Sequence, residues 1–404
     1  MISNPTWPLK KLEECCRYIS RGKQPKYVEK SEIKTLNQKA IQWGSIDKKS
    51  LKYHNSEIPV AEKHFILKGD LVLNSTGTGT VGRCYYFSEE PTDKIFADSH
   101  VTIIRTNKEI LLPEFLYYQL SSQQYQKLIY SSFLAGSTGQ VELNKSKVQE
   151  FPIYTPEIKI QEKIVNILNL LDKKINSNSK IIINLENISQ TLFKHWFIDF
   201  EFPNEEGKPY KSSGGEMVES ELGEIPKKWC SKKFNSIMKI SSGKRPKIKA
   251  DNYSLENSIP IIGASKLMGY TREILFDSPI LVIGRVGTHG VVQKIVDRCW
   301  PSDNTLVIQS EFYNFVYEFL KVIDYKSLNR GSTQPLITQT DIKNQTIIVP
   351  EDLTIMKKFE EILMPLLNKQ FLLLKENESL TQLRDTLLPK LLSGEIEIPD
   401  NLEV

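Results

Sequence analysis

Apolar positions follow two different periods along the chain, and the two alternate twice. The runs at 65–73, 101–104, 279–283 and 305–308 are aliphatic and β-branched, which predicts strands. From about Pro156 the spacing changes. Ile164, Leu168, Leu171, Ile175, Ile182, Leu185, Leu192 and Trp196 follow alternating steps of four and three, with Asn178 and Ser189 in the two polar places. A repeat of 3.5 residues is the seam of a coiled coil. An offset of 195 gives a second series: Phe359, Leu363, Leu366, Leu373, Leu380, Leu387 and Leu391, with Gln370, Asn377 and Arg384 at its polar places. About 40 helical residues rise ~60 Å, so two such helices in one chain are expected to pack antiparallel. Pro365 is expected to kink the second helix or split off its first turns. Off the seam, Leu388, Leu392, Phe193 and Phe197 are expected to face either partner proteins or the rest of this chain.

The β-rich parts are also repeated. Trp7-Pro-Leu-Lys-Lys-Leu12 returns as Trp229-Cys-Ser-Lys-Lys-Phe234, an offset of 222. Arg21-Gly-Lys-Gln-Pro-Lys26 returns as Ser242-Gly-Lys-Arg-Pro-Lys247. The segment from Leu71 to Gly82 matches the one from Pro279 to Gly290 at an offset of 208, which sets Arg285 opposite Gly77. Gly136-Ser-Thr-Gly-Gln140 matches Gly331-Ser-Thr-Gln334 with one residue deleted. The order is kept while the offset shrinks, as in two related domains with different loop lengths. The expected fold is therefore α+β, with two β-rich domains separated by two long antiparallel coiled-coil helices and an internal pseudo-twofold repeat. The boundaries read as 1–155 for the first domain, 156–200 for its helix and 201–222 for a Pro-, Gly- and Ser-rich linker. The second domain takes 223–350, its helix 351–394 and a tail 395–404.

Composition adds limits. At 404 residues, 40% hydrophobic and 25% charged, the chain can build substantial cores. No signal segment and no apolar stretch near the ~20 residues of a bilayer span are visible, so a cytoplasmic protein is expected. Five scattered cysteines, none in a CxxC pair, suit ordinary thiols better than a zinc site or disulfides. A net charge of +4 is uninformative, but its distribution is not. Nine basic residues lie between Lys227 and Lys249 with no acid among them, and a thinner basic stretch runs from Lys10 to Lys26. Local basic density is either a phosphate-binding footprint or a solvated surface.

Catalysis has no visible home. Gly77-Thr-Gly-Thr-Val-Gly82 fits GxGxxG, but a strand-like segment follows where a dinucleotide site needs a helix. There is no Walker A sequence, no Asn-Pro-Pro-aromatic or Asp-Pro-Pro-aromatic motif, and no metal-ligand spacing among the five histidines. Glu157-Ile-Lys159 reads as a helix start rather than part of a nuclease motif. No catalytic residue, cofactor site or metal site is expected in this chain.

Two similar domains on stiff helices make a ruler, and duplex DNA is a regular target for one. The candidate contacts lie in paired loops. Lys23, Lys26, Lys244, Arg245 and Lys247 can neutralise phosphates. Ser75, Thr76, Thr78, Thr80 and Arg83, with Arg285, Thr288 and His289, combine glycine-permitted turns with hydrogen-bonding groups. Ser137, Thr138 and Gln140, with Ser332, Thr333 and Gln334, form the third pair. Arg and Gln can make bidentate contacts to guanine and adenine; the plain alternative for each residue is a surface turn. The competing readings are an enzyme, opposed by the missing motifs, and a coiled-coil scaffold without DNA specificity, opposed by the basic stretch.

The helix ends carry a resemblance. Thr191-Leu-Phe-Lys-His-Trp-Phe-Ile-Asp-Phe-Glu-Phe-Pro203 and Leu383-Arg-Asp-Thr-Leu-Leu-Pro-Lys-Leu-Leu-Ser-Gly-Glu-Ile396 resemble the central and distal regions of specificity (S) subunits of type I restriction-modification systems. Glu216-Met-Val-Glu-Ser-Glu-Leu-Gly-Glu-Ile-Pro-Lys-Lys-Trp229 resembles the approach to their second recognition domain. The resemblance covers essentially the whole chain. It implies two target-recognition domains reading an asymmetric, bipartite site in double-stranded DNA, with the helices setting the gap. It also implies partners: two methyltransferase subunits, which bring S-adenosylmethionine and methylate adenine, and restriction subunits that use ATP and Mg. It carries over no base-contacting residue.

Overall fold

The computed structural model describes residues 7–134, 142–285, 290–328, 336–396 and 398. The chain divides into two compact units, Met1–Ser177 with Glu376–Val404, and Asn178–Lys375. The first long helix, Ile158–Phe193, and the second, Thr354–Ser393, each give residues to both.

Unit 1 is built on a four-stranded antiparallel sheet in the order Cys16–Arg21, Val101–Thr106, Leu71–Asn74, Cys84–Tyr86. The apolar run in its third strand is buried on both faces. Leu71 and Leu73 enter one core with the helix Pro113–Ser121, while Val72 enters a second core with Leu36 and Ile103. Alternation along a strand sends neighbours to opposite faces, so a wholly apolar run requires cover on both sides. That cover includes a second sheet, in which Ile33–Leu36 runs parallel to Lys94–Ala97. The expected strand at 65–73 is shorter than its apolar pattern. Glu62–His64 forms a 3-10 turn, and Gly69 at φ +92° bends the chain before Leu71.

Unit 2 repeats this topology. Lys239–Ser242, Thr305–Gln309, Ile280–Gly284 and Val292–Ile295 form the four-stranded sheet, and Ile259–Ile262 runs parallel to Trp300–Pro301. Each unit is closed by an outlying antiparallel pair, Leu9–Lys11 with Pro152–Tyr154 and Trp229–Lys233 with Thr346–Pro350. The Pro-, Gly- and Ser-rich stretch 201–222 holds Phe202 stacked between Tyr210 and Trp229, and the strand Met217–Ser220 paired with Gly223–Pro226.

The seam positions of both helices are buried or half-buried. Within unit 1 the helix segments run antiparallel, with Asp172 bonded to Arg384 at 2.9 Å and Lys174 to Glu376 at 3.3 Å. Within unit 2, Gln370 donates to the Ile182 carbonyl, and Phe359 meets Phe193 and Trp196. Pro365 does not split the second helix. It removes one helical hydrogen bond, but the helix continues through it from Thr354 to Ser393, with Leu363 and Leu367 on either side buried in the unit 2 core. Leu388 and Leu392 enter the unit 1 core, and Phe193 and Phe197 enter that of unit 2, so all four pack within the chain.

In each unit a long-helix side chain also satisfies the open start of the first α-helix of the β-rich part. Gln161 accepts from the Leu112 N–H at 2.8 Å; Glu360 accepts from the Asn314 and Phe315 N–H groups at 3.1 and 2.9 Å. Among the described residues, no helix is long and apolar enough to cross a membrane, and no three His, Cys, Asp or Glu residues could hold a metal. Burial pushes the Cys15 thiol up and that of Cys299 to about 12, so these act as core residues.

Candidate nucleic-acid interface

Strand direction decides where the candidate loops go. In unit 1, Cys16–Arg21 ends, Leu71–Asn74 ends, Val101–Thr106 begins and Cys84–Tyr86 begins at the same edge of the sheet. The loops at 22–26, 75–83 and 98–100 therefore emerge together. The flank of the third candidate loop joins them: Leu143 N–H donates to the Ser75 carbonyl, and Glu142 pairs with Arg21 at 2.6 Å. Unit 2 does the same with 243–249, 285 and 302–304, and Ile337 N–H donates to the Arg285 carbonyl at 3.1 Å. Ser137, Thr138, Gln140, Thr288, His289, Ser332, Thr333 and Gln334 lie outside the described residues.

The repeated glycine in the first loop has an architectural cause. A Cβ on Gly22 would stand 1.9 Å from the Ala97 carbonyl oxygen, and one on Gly243 would stand 2.1 Å from that of Ser302. Here the chain passes across the parallel strand, with Lys23 N–H bonded to Ala97 and Lys244 N–H to Pro301. Only glycine admits that approach. Beyond it, Lys23, Lys26, Lys244, Arg245 and Lys247 are exposed, with no ion pair among the described residues. The basic run 227–249 does not form one patch. Lys227 pairs with Glu216 at 2.8 Å and Lys233 donates to the Asn344 carbonyl, on or beside the outlying strand pair, while residues 244–249 lie at the loop edge.

In the glycine loop, Gly77, Gly79 and Gly82 have φ of +99°, +78° and +83°, and the loop leads into the strand Cys84–Tyr86. It is the connection of a β-hairpin. Arg83 braces it from within, donating to Gln42 Oε1 and the Gly79 carbonyl at 3.1 Å each. Thr80 Oγ1 turns back to the Thr76 and Gly77 carbonyls. Ser75 is not available to a ligand: it is fully buried, its Oγ 2.5 Å from Thr102 Oγ1. Thr76 and Thr78 remain half-buried and exposed. Strand register also corrects the repeat. Asn74 and Gly284 occupy equivalent places, so Arg285 stands opposite Ser75, and the unit 2 loop is shorter by two residues.

The family model described as "Type I restriction modification DNA specificity domain" matches residues 4–187 and 226–382, both repeats in turn. The chain belongs to this family. A type I restriction enzyme specificity subunit of Methanocaldococcus jannaschii, MjaIX, is 29% identical over 322 residues, covering 72% of this chain and 71% of its own. The HindI specificity subunit of Haemophilus influenzae is 25% identical over 416 aligned residues, covering 84% and 89%. The crystal structure of a type I restriction-modification S subunit from M. genitalium has the same fold, with a TM-score of 0.61 at 16% identity over 99% of this chain and 98% of that one.

As a type I specificity subunit the protein recognises DNA target sites and is not itself the catalyst. Several polar groups of the loop edge escaped the motif reading. Gln38, Gln24, Ser99 and His100 lie among the candidate loops, with Ser99 Oγ donating to Gln24 Oε1 and Thr76 Oγ1 bonded to both Gln38 and His100. Beneath them burial pushes the Asp98 carboxyl up, an effect partly offset by the His100 N–H it accepts at 2.8 Å. These residues come from separate stretches of sequence, and no local pattern marks them.

Proposed function

We propose that the specificity subunit reads an asymmetric, bipartite sequence in double-stranded DNA, with one half-site per unit, through the loop edges of the two four-stranded sheets. The observation that supports this most directly is the convergence of equivalent loops at one sheet edge in both repeats, with unpaired cations beside hydrogen-bonding groups. Cations position a protein on phosphates, while base-edge contacts carry sequence information. The loops differ in length and side chains between the units, which favours two different half-sites.

The subunit then works with two methyltransferase subunits and with restriction subunits in the cytoplasm. S-adenosylmethionine, ATP and Mg bind to those partners. The specificity chain contributes position only: it holds the complex at one DNA site while chemistry occurs on another chain. The test is single-molecule sequencing of DNA modification in cells that express all subunits, with and without this gene. Loss of an adenine mark at one gapped, two-part motif is expected. An unchanged pattern of modification would refute the reading.

A further inference from the structure

Three side chains from three loops meet at the unit 1 loop edge. Gln38 follows the strand Ile33–Leu36, Thr76 follows Leu71–Asn74, and His100 precedes Val101–Thr106. Thr76 Oγ1 donates to Gln38 Oε1 at 3.0 Å and lies 2.9 Å from His100 Nδ1. A hydroxyl has one proton. With that proton given to Gln38, the Thr76 oxygen accepts from His100, which fixes the imidazole with its proton on Nδ1 and a lone pair on Nε2. The Gln38 amide nitrogen keeps its donors. Neither group has another partner among the described residues, and His100 is exposed. Turning the Gln38 amide over reverses the chain of bonds and still leaves one donor and one acceptor. Gly77 makes the room: a Cβ there would stand 2.7 Å from Gln38 Oε1.

We propose that Gln38, Thr76 and His100 form a base-reading relay that selects adenine at one position of the unit 1 half-site. Adenine presents an acceptor at N7 and a donor at N6 in the major groove, which complement one donor and one acceptor on the protein. Guanine presents two acceptors, N7 and O6, and leaves the His100 lone pair opposed to another lone pair. Lys23, exposed at the same edge, supplies a phosphate contact that is indifferent to sequence.

Unit 2 supports a role in specificity over one in architecture. Its backbone frame is the same: Ser75 N–H donates to the His100 carbonyl, and Arg285 N–H to that of Asn304, at 2.9 Å each. Strand register sets Ala264 opposite Gln38 and Asn304 opposite His100. Gly22 and Gly243, which the fold requires, are kept in both units, whereas among the described residues Ala264 and Asn304 stand in place of Gln38 and His100.

This inference rests on the bipartite reading proposed above, and the experiment separates the two. The complete complex carrying wild-type subunit, Gln38→Ala or His100→Ala is expressed in cells, and the modification motif is sequenced. Each substitution is expected to relax one base pair of one half-site, with adenine preference there falling roughly tenfold to hundredfold. The other half-site and the gap are expected to stay as they were. If a substitution abolishes modification everywhere, Gln38→Glu takes its place: it keeps the bond from Thr76, removes the amide donor and is expected to lose adenine preference at the same position. A two-part motif that none of these variants alters would overturn the relay alone. A wild-type subunit that directs no two-part motif would overturn the bipartite reading and the relay with it.

Discussion

Gly22 and Gly243 show how much one missing side chain can carry. Each permits a backbone-to-backbone crossing on which the loop edge depends, and an added methyl group has only carbonyl oxygens to push against. Gly22→Ala is expected to destabilise unit 1 by about 3 kcal/mol or more. Gly79 is the control: its φ is +78° and nothing lies within 4 Å, so alanine there meets only the left-handed backbone penalty of about 1 kcal/mol. Thermal melting of the two variants side by side checks this, and equal losses would contradict it. The sequence made the repeated glycine visible, but its role came from the strand it crosses. Ser75 makes the complementary point. The sequence offered it as a hydrogen-bonding contact in a glycine-permitted turn, whereas the sheet places it inside against Thr102.

Among the elements, the first long helix is attached to unit 2 by a charge cluster that no motif announced. Glu186 accepts from Lys321 and Tyr317 at 2.7 Å and from Lys294 at 2.9 Å, and Lys294 also lies 3.9 Å from the Tyr317 ring centre. Burial opposes its charge, but the three hydrogen bonds outweigh that and hold the carboxyl down at about 2, against 4.5 ordinarily. A folded pKa below the unfolded one stabilises the native state above pH 4.5, and that stabilisation is lost as pH falls from about 4.5 towards about 2. Glu186→Gln is expected to cost about 2 kcal/mol at neutral pH, discounted for partial exposure. The gap from wild type should close progressively below pH 4.5 in denaturant melts. A gap independent of pH would show that shape and not charge matters. The heptad spacing predicted both helices and their antiparallel pairing within each unit. Of the two outcomes expected at Pro365, the split does not occur: the helix runs on from Thr354 to Ser393, with Leu363 and Leu367 buried on either side of the proline.

At the scale of the whole molecule, duplication is the governing fact. Equivalent strands recur with the same pairing, and the family match falls on both copies. The proposed modularity predicts that replacing residues 1–155 with the same segment of another family member changes one half-site of the modification motif and leaves the other intact. Sequencing of the modified DNA reads this directly, and a change in both halves would defeat it.

Periodicity and repeat order were sufficient to determine the fold class, the duplication and the long helices, and the segments 191–203, 216–229 and 383–396 carried the family resemblance, because all of these are patterns along one dimension. The relay of Gln38, Thr76 and His100, the burial of Ser75, the place of Arg285 and the Glu186 cluster depended on tertiary structure. Their residues are brought together by strand register and loop direction, which join positions tens to more than a hundred residues apart. Hydrogen-bonding chemistry acts over about 3 Å, and only the folded chain creates those distances.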